Sequence, residues 1–231
     1  MKGAAPPSAR YCARPSQSCF SMGKIPMPTV DSHTQLWTFQ HIAQLNALLR
    51  DGVVYGDWKN IDPACEEAYR YMCRVMGNYG LDCGDAPPIW AWHSCCAAGK
   101  APDSEVATQL LSLSQLAENN IVLLSLACPD DQYLLSDYHQ WCDWVYFPSL
   151  ADESNCILEM TRLEDDEKAH RVFGVDLTSV EDDLVQATLP IVRKEWLRQV
   201  HRVELGGEGV QFRRFADAIG TDTPSCRSSF A

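Results

Sequence analysis

No run of about 18 apolar residues occurs in this 231-residue chain, which excludes a membrane-spanning helix of ordinary hydrophobic length. Positive charge is scarce as well: 19 Lys and Arg stand against 31 Asp and Glu, a formal net charge of −12. A field of that sign repels phosphate backbones and acidic lipid surfaces, so neither nucleic acid nor membrane is an expected partner. Between Lys100 and Arg162 there is no Lys or Arg, while Asp103, Glu105, Glu118, Asp130, Asp131, Asp137, Asp143, Asp152, Glu153 and Glu159 fall in that stretch. They form either a solvated acidic face or a surface for a basic partner. Gly-rich phosphate loops of the G-x-G-x-x-G and P-loop types are missing, as are the G-x-S-x-G elbow and the H-E-x-x-H zinc helix. With 46% apolar and 22% charged residues, the chain is nonetheless of ordinary globular composition.

Cysteine is abundant, but its spacing is uninformative. Eleven residues, an odd number, include no C-x-x-C pair. The first residues are broken by Pro6, Pro7, Arg10, Arg14 and Pro15 where a secretory signal would need an apolar core. The expected setting is therefore a reducing cytoplasm, with cysteines serving as small core hydrophobes. Two local groups, His93 with Cys95 and Cys96, and His139 with Cys142, hold the right ligand types for zinc should they meet. Nothing in their spacing brings them together, and no metal or cofactor is assigned.

Residues 1–33 are rich in Pro, Ser and Ala without hydrophobic period and read as a disordered arm. A single globular domain is expected over 34–207, followed by a tail at 208–231. Leu36–Gln40, Ile89–Trp92, Ile121–Leu126 and Tyr133–Leu135 read as strands, the third apolar on both faces and hence interior. Ile42–Asp51 reads as a helix closed by Gly52, and Asp62-Pro63 opens another running through Met76. Val106–Leu116 and the segment from Asp137 to Tyr146 read as helices, and Arg171–Phe173 as a short strand. Thr178 with Glu181 makes a capping box before Val185, Leu189, Val192, Trp196, Val200 and Val203, whose spacings of 4, 3, 4, 4 and 3 predict a long C-terminal helix, kinked at Pro190. The fold class is α+β, with short mixed strands and that helix.

Aromatic and polar residues gather at the ends of these elements. Trp37 and Gln40 lie on the first strand; Trp90 and Trp92 share a face; Ser136, Asp137, Tyr138 and Trp141 stand where a strand enters a helix. On one reading the tryptophans are core and Asp137 is a helix cap. On the other, Trp37, Gln40, Trp90, Trp92, Ser136, Tyr138 and Trp141 bind a ring by stacking and hydrogen bonds, with Asp137 or Glu159 as the acid.

The ordered series Leu36–Gln40, Asp62–Met76, Pro88–Trp92, Pro102-Asp103, Pro129-Asp130, Leu134–Tyr138 with Trp141, and Gln186-Ala187-Thr188 resembles a bacterial family, domain-of-unknown-function family 3841, over roughly residues 36–203. The resemblance implies one domain in a bacterial cytoplasm and confers no activity. Cys142 stands where the family pattern has His, an Asn expected shortly afterwards is missing, and no basic residue follows Pro102-Asp103. The element order is also similar to ADP-ribosyltransferase-like folds. The leading expectation is a non-catalytic module that binds a protein partner or small molecule. It rests on the acidic middle and a basic helical patch of Arg193, Lys194, Arg198 and Arg202. The alternative is a nucleotide- or NAD-binding enzyme of ADP-ribosyltransferase-like type.

Overall fold

A computed structural model describes residues 32–146, 165–178, 184–207 and 209–215. The strands are β1 (His33–His41), β2 (Val53–Val54), β3 (Ile89–Cys95), β4 (Ile121–Pro129), β5 (Leu134–Asp137), β6 (Leu184–Leu189), β7 (Val192–Arg193), β8 (Leu197–Gly206) and β9 (Gly209–Arg214). The helices are α1 (Ile42–Asp51), α2 (Glu66–Asn78), α3 (Ser104–Leu110), α4 (Leu113–Ala117), α5 (Tyr138–Trp141, continued by a wider turn over Cys142–Tyr146) and α6 (Asp165–Phe173). Seven strands form one antiparallel sheet in the order β5-β6-β3-β1-β4-β8-β9, and β2 pairs with β7 alongside it.

Local chemistry sets the element ends. His41 Nδ1 accepts from Ala43 N at 3.1 Å to start α1, and Gly52, at φ +79°, closes it by donating to Leu48 O at 3.0 Å. Asp62 caps a single 3-10 turn, Pro63–Cys65, that runs into α2. Asp103 caps α3, and a Ser112–Gln115 capping box starts α4, so the helix expected over 106–116 is two short ones. Asp130 fastens the far end of β1 to β4: its carboxylate accepts from Thr34 Oγ1 at 2.7 Å, and its N–H donates to Ser32 O at 3.2 Å.

Both faces of the sheet are covered. On the first face, Leu45 and Leu48 of α1 pack with Leu36, Ala91, Val122, Leu124, Leu126, Ala187, Leu189 and Val200. On the second, Met72, Val75 and Met76 of α2 pack with Leu134, Trp141 and Val172, while Ala107 and Leu116 of α3 and α4 pack with Trp37, Leu123, Val203 and Val210.

The long C-terminal helix is not there. Its span holds β6, β7 and β8 instead. The helical spacing arose from two-sided burial: Val200 faces the first core and Val203 the second, three residues apart on opposite sides of one strand. Leu197 and Val200 share the first face because Ser125 pairs with Gln199 and Leu126 with Leu197, leaving Arg198 as a bulge. Pro190 ends β6 rather than kinking a helix. β9 falls inside the span read as a tail, and Arg171–Phe173 is the end of α6 rather than a strand. The likeness to ADP-ribosyltransferase-like folds rested on the order of β1, α1, the Gly52 turn, β3 and β5 rather than on that helix, and it is an analogy of element order alone. Glu181, the partner in the expected capping box, lies outside the described residues; Thr178 Oγ1 donates to Asp176 Oδ1 at 2.7 Å. Most of the N-terminal arm and residues 216–231 are likewise outside them.

Leu189→Ala, at a fully buried β6 position, is expected to cost about 2–5 kcal/mol in urea unfolding. Leu113→Ala, at a position 72% exposed, should change stability by less than about 0.5 kcal/mol. Asp130 is held below the usual carboxylate range: burial pushes it up, but hydrogen bonds from Ser32, Thr34 and Tyr133 outweigh that. Its folded pKa is depressed, so its contribution is complete above the unfolded value of about 3.9 and is lost as pH falls through the folded value. Asp130→Asn should flatten the acid limb of a stability–pH profile there.

Candidate functional site

Alternation along each strand carries one residue from each of six strands into a row across the second face. The registers run Ser136 (β5), Gln186 (β6), Trp92 (β3), Trp37 (β1), Ser125 (β4) and Gln199 (β8). Two tryptophans thus sit opposite each other, flanked on each side by Ser and Gln. Ser136 Oγ bonds Gln186 Oε1 at 3.3 Å, and Gln35 Nε2 donates to Ser125 Oγ at 2.9 Å. His93 is the extra residue of a bulge that turns Ser94 away from this face and leaves Cys95 beside Trp92.

An aromatic cluster covers the β3–β6–β5 end. The Trp92 and Tyr138 rings meet edge to face at 5.2 Å, Trp90 and Trp141 meet at 5.0 Å, and Tyr69 of α2 meets Trp90 at 5.6 Å. Burial, together with the neighbouring Cys142, pushes the Tyr138 phenol up to about 12, so it remains a protonated hydrogen-bond donor at neutral pH. Thr188 pairs with Trp90 on one side and Leu134 on the other. Its hydroxyl is fully buried and, among the described residues, finds no hydrogen-bond partner.

The structure therefore brings together Trp90, Trp92, Ser136, Tyr138 and Trp141, and joins Trp37 to them through the row. Gln40 lies apart, on the opposite face of β1, where Nε2 donates to Thr38 Oγ1 at 2.8 Å. Trp37, Trp92 and Trp141 retain only 8%, 6% and 3% of their exposure, whereas Trp90 and Tyr138 are half-buried. The Asp137 carboxylate caps α5, accepting from Gln140 N at 2.9 Å. Glu159 lies outside the described residues. In the sequence, Gln186 and Thr188 belong only to the series that resembles the family, on a span whose period predicts a helix, so nothing there sets them beside Trp92 and Trp90. The two His/Cys groups do not meet: among the described residues no cluster of three or more His, Cys, Asp or Glu is arranged to hold a metal ion. His93 Nδ1 is instead 2.7 Å from Ser94 Oγ, and Cys95 is pushed up to about 12 by burial.

A second feature is electrostatic. The basic patch expected on one helix is divided among β7 (Arg193), a 3-10 turn (Lys194) and β8 (Arg198 and Arg202). Arg202 stands directly opposite Arg213, and His201 opposite Arg214, with Glu204 as the only carboxylate within β8 and β9. Arg213 pairs with Glu204 at 2.9 Å, and Arg202 lies over the Phe215 ring at 5.2 Å. β9 is an edge strand of the sheet. Each edge strand has a helix packed on it, α3 on β9 and α6 on β5.

Residues 35–181 match the family described as Domain of unknown function (DUF3841), and the chain belongs to that family. The match ends before Gln186-Ala187-Thr188, so those residues stand outside it. No curated protein and no solved structure is detectably similar to the chain.

Thr188→Val, which removes the unpartnered hydroxyl at constant shape, should be neutral or stabilising in urea unfolding. Thr38→Val should cost about 1–3 kcal/mol, because the Thr38 hydroxyl donates to Trp90 O at 2.6 Å and accepts from Gln40 Nε2 at 2.8 Å, and both bonds are lost.

Proposed function

We propose that this protein is a non-catalytic binding module that takes an acidic, extended segment of a partner protein along β9. The observation that carries this reading is the arginine-rich β8–β9 edge on a chain of net charge −12. An edge strand offers unpaired N–H and C=O groups to an added strand, and flanking arginines select a partner of opposite sign. Two further facts favour it. Trp37, Trp92 and Trp141 are buried in packing, and Asp137 is engaged as a helix cap.

A small-molecule site remains the second reading, favoured by one observation: the Thr188 hydroxyl is buried without a partner beside half-buried Trp90. There, Trp90 and Tyr138 would supply ring contacts to a nucleotide or similar planar ligand.

A short synthetic peptide alternating Glu and Val tests the first reading by calorimetry. It should bind with an affinity that falls with added salt, and Arg213→Glu with Arg214→Glu should weaken binding roughly tenfold or more, ~1.4 kcal/mol. Lys59→Glu, remote in sequence and exposed, should leave it unchanged. No binding, or binding indifferent to the double reversal, removes the edge reading. A thermal shift with NAD or another nucleotide that disappears in Tyr138→Phe would establish the second reading in its place.

A further inference from the structure

Beyond the sheet, α2 and the loop that follows it bring three sulfur side chains together. Cys73 and Met76 stand three apart, one turn, on α2. The chain then reverses: Leu81 N donates to Met76 O at 3.0 Å, and Gly84 N donates to Asp82 Oδ1 at 2.7 Å. This places Cys83 Sγ 3.7 Å from Met76 Sδ, one turn along α2 from Cys73, in a turn closed by Ala86 N donating to Cys83 O at 3.2 Å. Cys73 Sγ is also 3.8 Å from Ala86 O. The loop is held from its other side, where Trp58 Nε1 donates to Asp85 O at 2.7 Å. Residue 56 must be Gly, because a Cβ there would meet Pro87 O at 2.1 Å. The loop that carries Cys83 is therefore held beside α2 by contacts that do not involve sulfur.

Their surroundings differ. Cys83 is buried, while Cys73 is half-buried. Interaction with Cys83, opposed by burial but helped by the Arg70 and Arg74 guanidiniums, holds the Cys73 thiol below its ordinary range, and the same interaction, together with burial, pushes Cys83 up. Thiolate character combined with access is what selects one cysteine among many for oxidation.

We propose that Cys73 and Cys83 are an oxidisable dithiol, Cys73 reacting first with a hydroperoxide and Cys83 closing the intramolecular disulfide. The Cys73 sulfur attacks the outer oxygen of the peroxide, and the O–O bond breaks. The leaving alkoxide or hydroxide takes up, through water, the proton that the Cys73 thiol gave up, and Cys73 becomes a sulfenic acid. The Cys83 sulfur then displaces that hydroxyl, which departs as water with the Cys83 proton. The two sulfurs together lose two electrons and the peroxide gains two. The new bond ties α2 to the loop that leads through Pro87 and Pro88 into Ile89 and Trp90.

The test is peptide mass mapping of the full chain after stoichiometric hydrogen peroxide, without reductant. A Cys73–Cys83 cross-link should form ahead of any other oxidation among the eleven cysteines. In Cys83→Ser, Cys73 should instead be trapped by dimedone as a sulfenic acid. In Cys73→Ser, Cys83 should stay reduced. If Cys73 and Cys83 stay reduced while other cysteines oxidise, or if Cys73 pairs with a different cysteine, the proposal is wrong. Circular dichroism of each variant separates a loss of folding from a loss of reactivity.

Discussion

The two halves of the main sheet are joined at one registered pair, Trp37 of β1 against Trp92 of β3. β1 pairs with β4 along its whole length, from His33 with Pro129 to His41 with Ile121, and β3 pairs with β6 from Ile89 to Cys95. The junction between them relies on side chains where the other junctions rely on backbone. Thr38 donates its hydroxyl to Trp90 O, supplying a hydrogen bond that a continued ladder would have made from an amide. Two large apolar side chains placed opposite each other compensate by burial, each removing on the order of 150–250 Å² from water. On the opposite face, Leu36 and Val122 pack with Ala91 and Leu189 in one core, so the joint is clamped from both sides. The cost is functional: indoles that hold the joint cannot also stack a ligand in the open.

That constraint accounts for how the fold could and could not be read from sequence. Elements whose ends carry their own chemistry were legible: α1 with Gly52 after it, α2 behind Asp62-Pro63, α5 behind Asp137. β4 was legible because a strand covered on both faces is apolar throughout. The same double covering misled at β8. A strand bulged at Arg198 and buried first on one face, then on the other, shows apolar residues every three to four positions, which is the signature of a helix. Composition points the other way from that period, since Val185, Val192, Val200 and Val203 are β-branched and suit a strand.

The site was legible to the extent that it is local. Trp90 with Trp92 are two apart on a strand, and Ser136, Tyr138 and Trp141 lie within six residues, so sequence alone groups each set. Their meeting depends on β6, which lies between β3 and β5 and supplies Gln186 and Thr188; misassigning β6 hid both. Gln40 shows the converse. Three residues from Trp37 on one strand, it was bound to face the other way, as strand alternation dictates.

Charge placement is the part of the molecule that folding does not explain. Directly opposed arginines in an antiparallel pair are unfavourable, and Arg202 faces Arg213 across the β8–β9 ladder. Glu204 offsets Arg213, and Phe215 takes the Arg202 guanidinium, yet Arg214 and Arg198 add further positive charge to the same two strands. Protection of an edge against self-association needs one or two charges of either sign. In an acidic chain, acids would have provided that protection without opposing the net charge. A positive edge instead attracts the acidic remainder of other copies as well as acidic partners, a liability unless something is meant to bind there. The sign of the edge, more than its exposure, therefore argues for recognition.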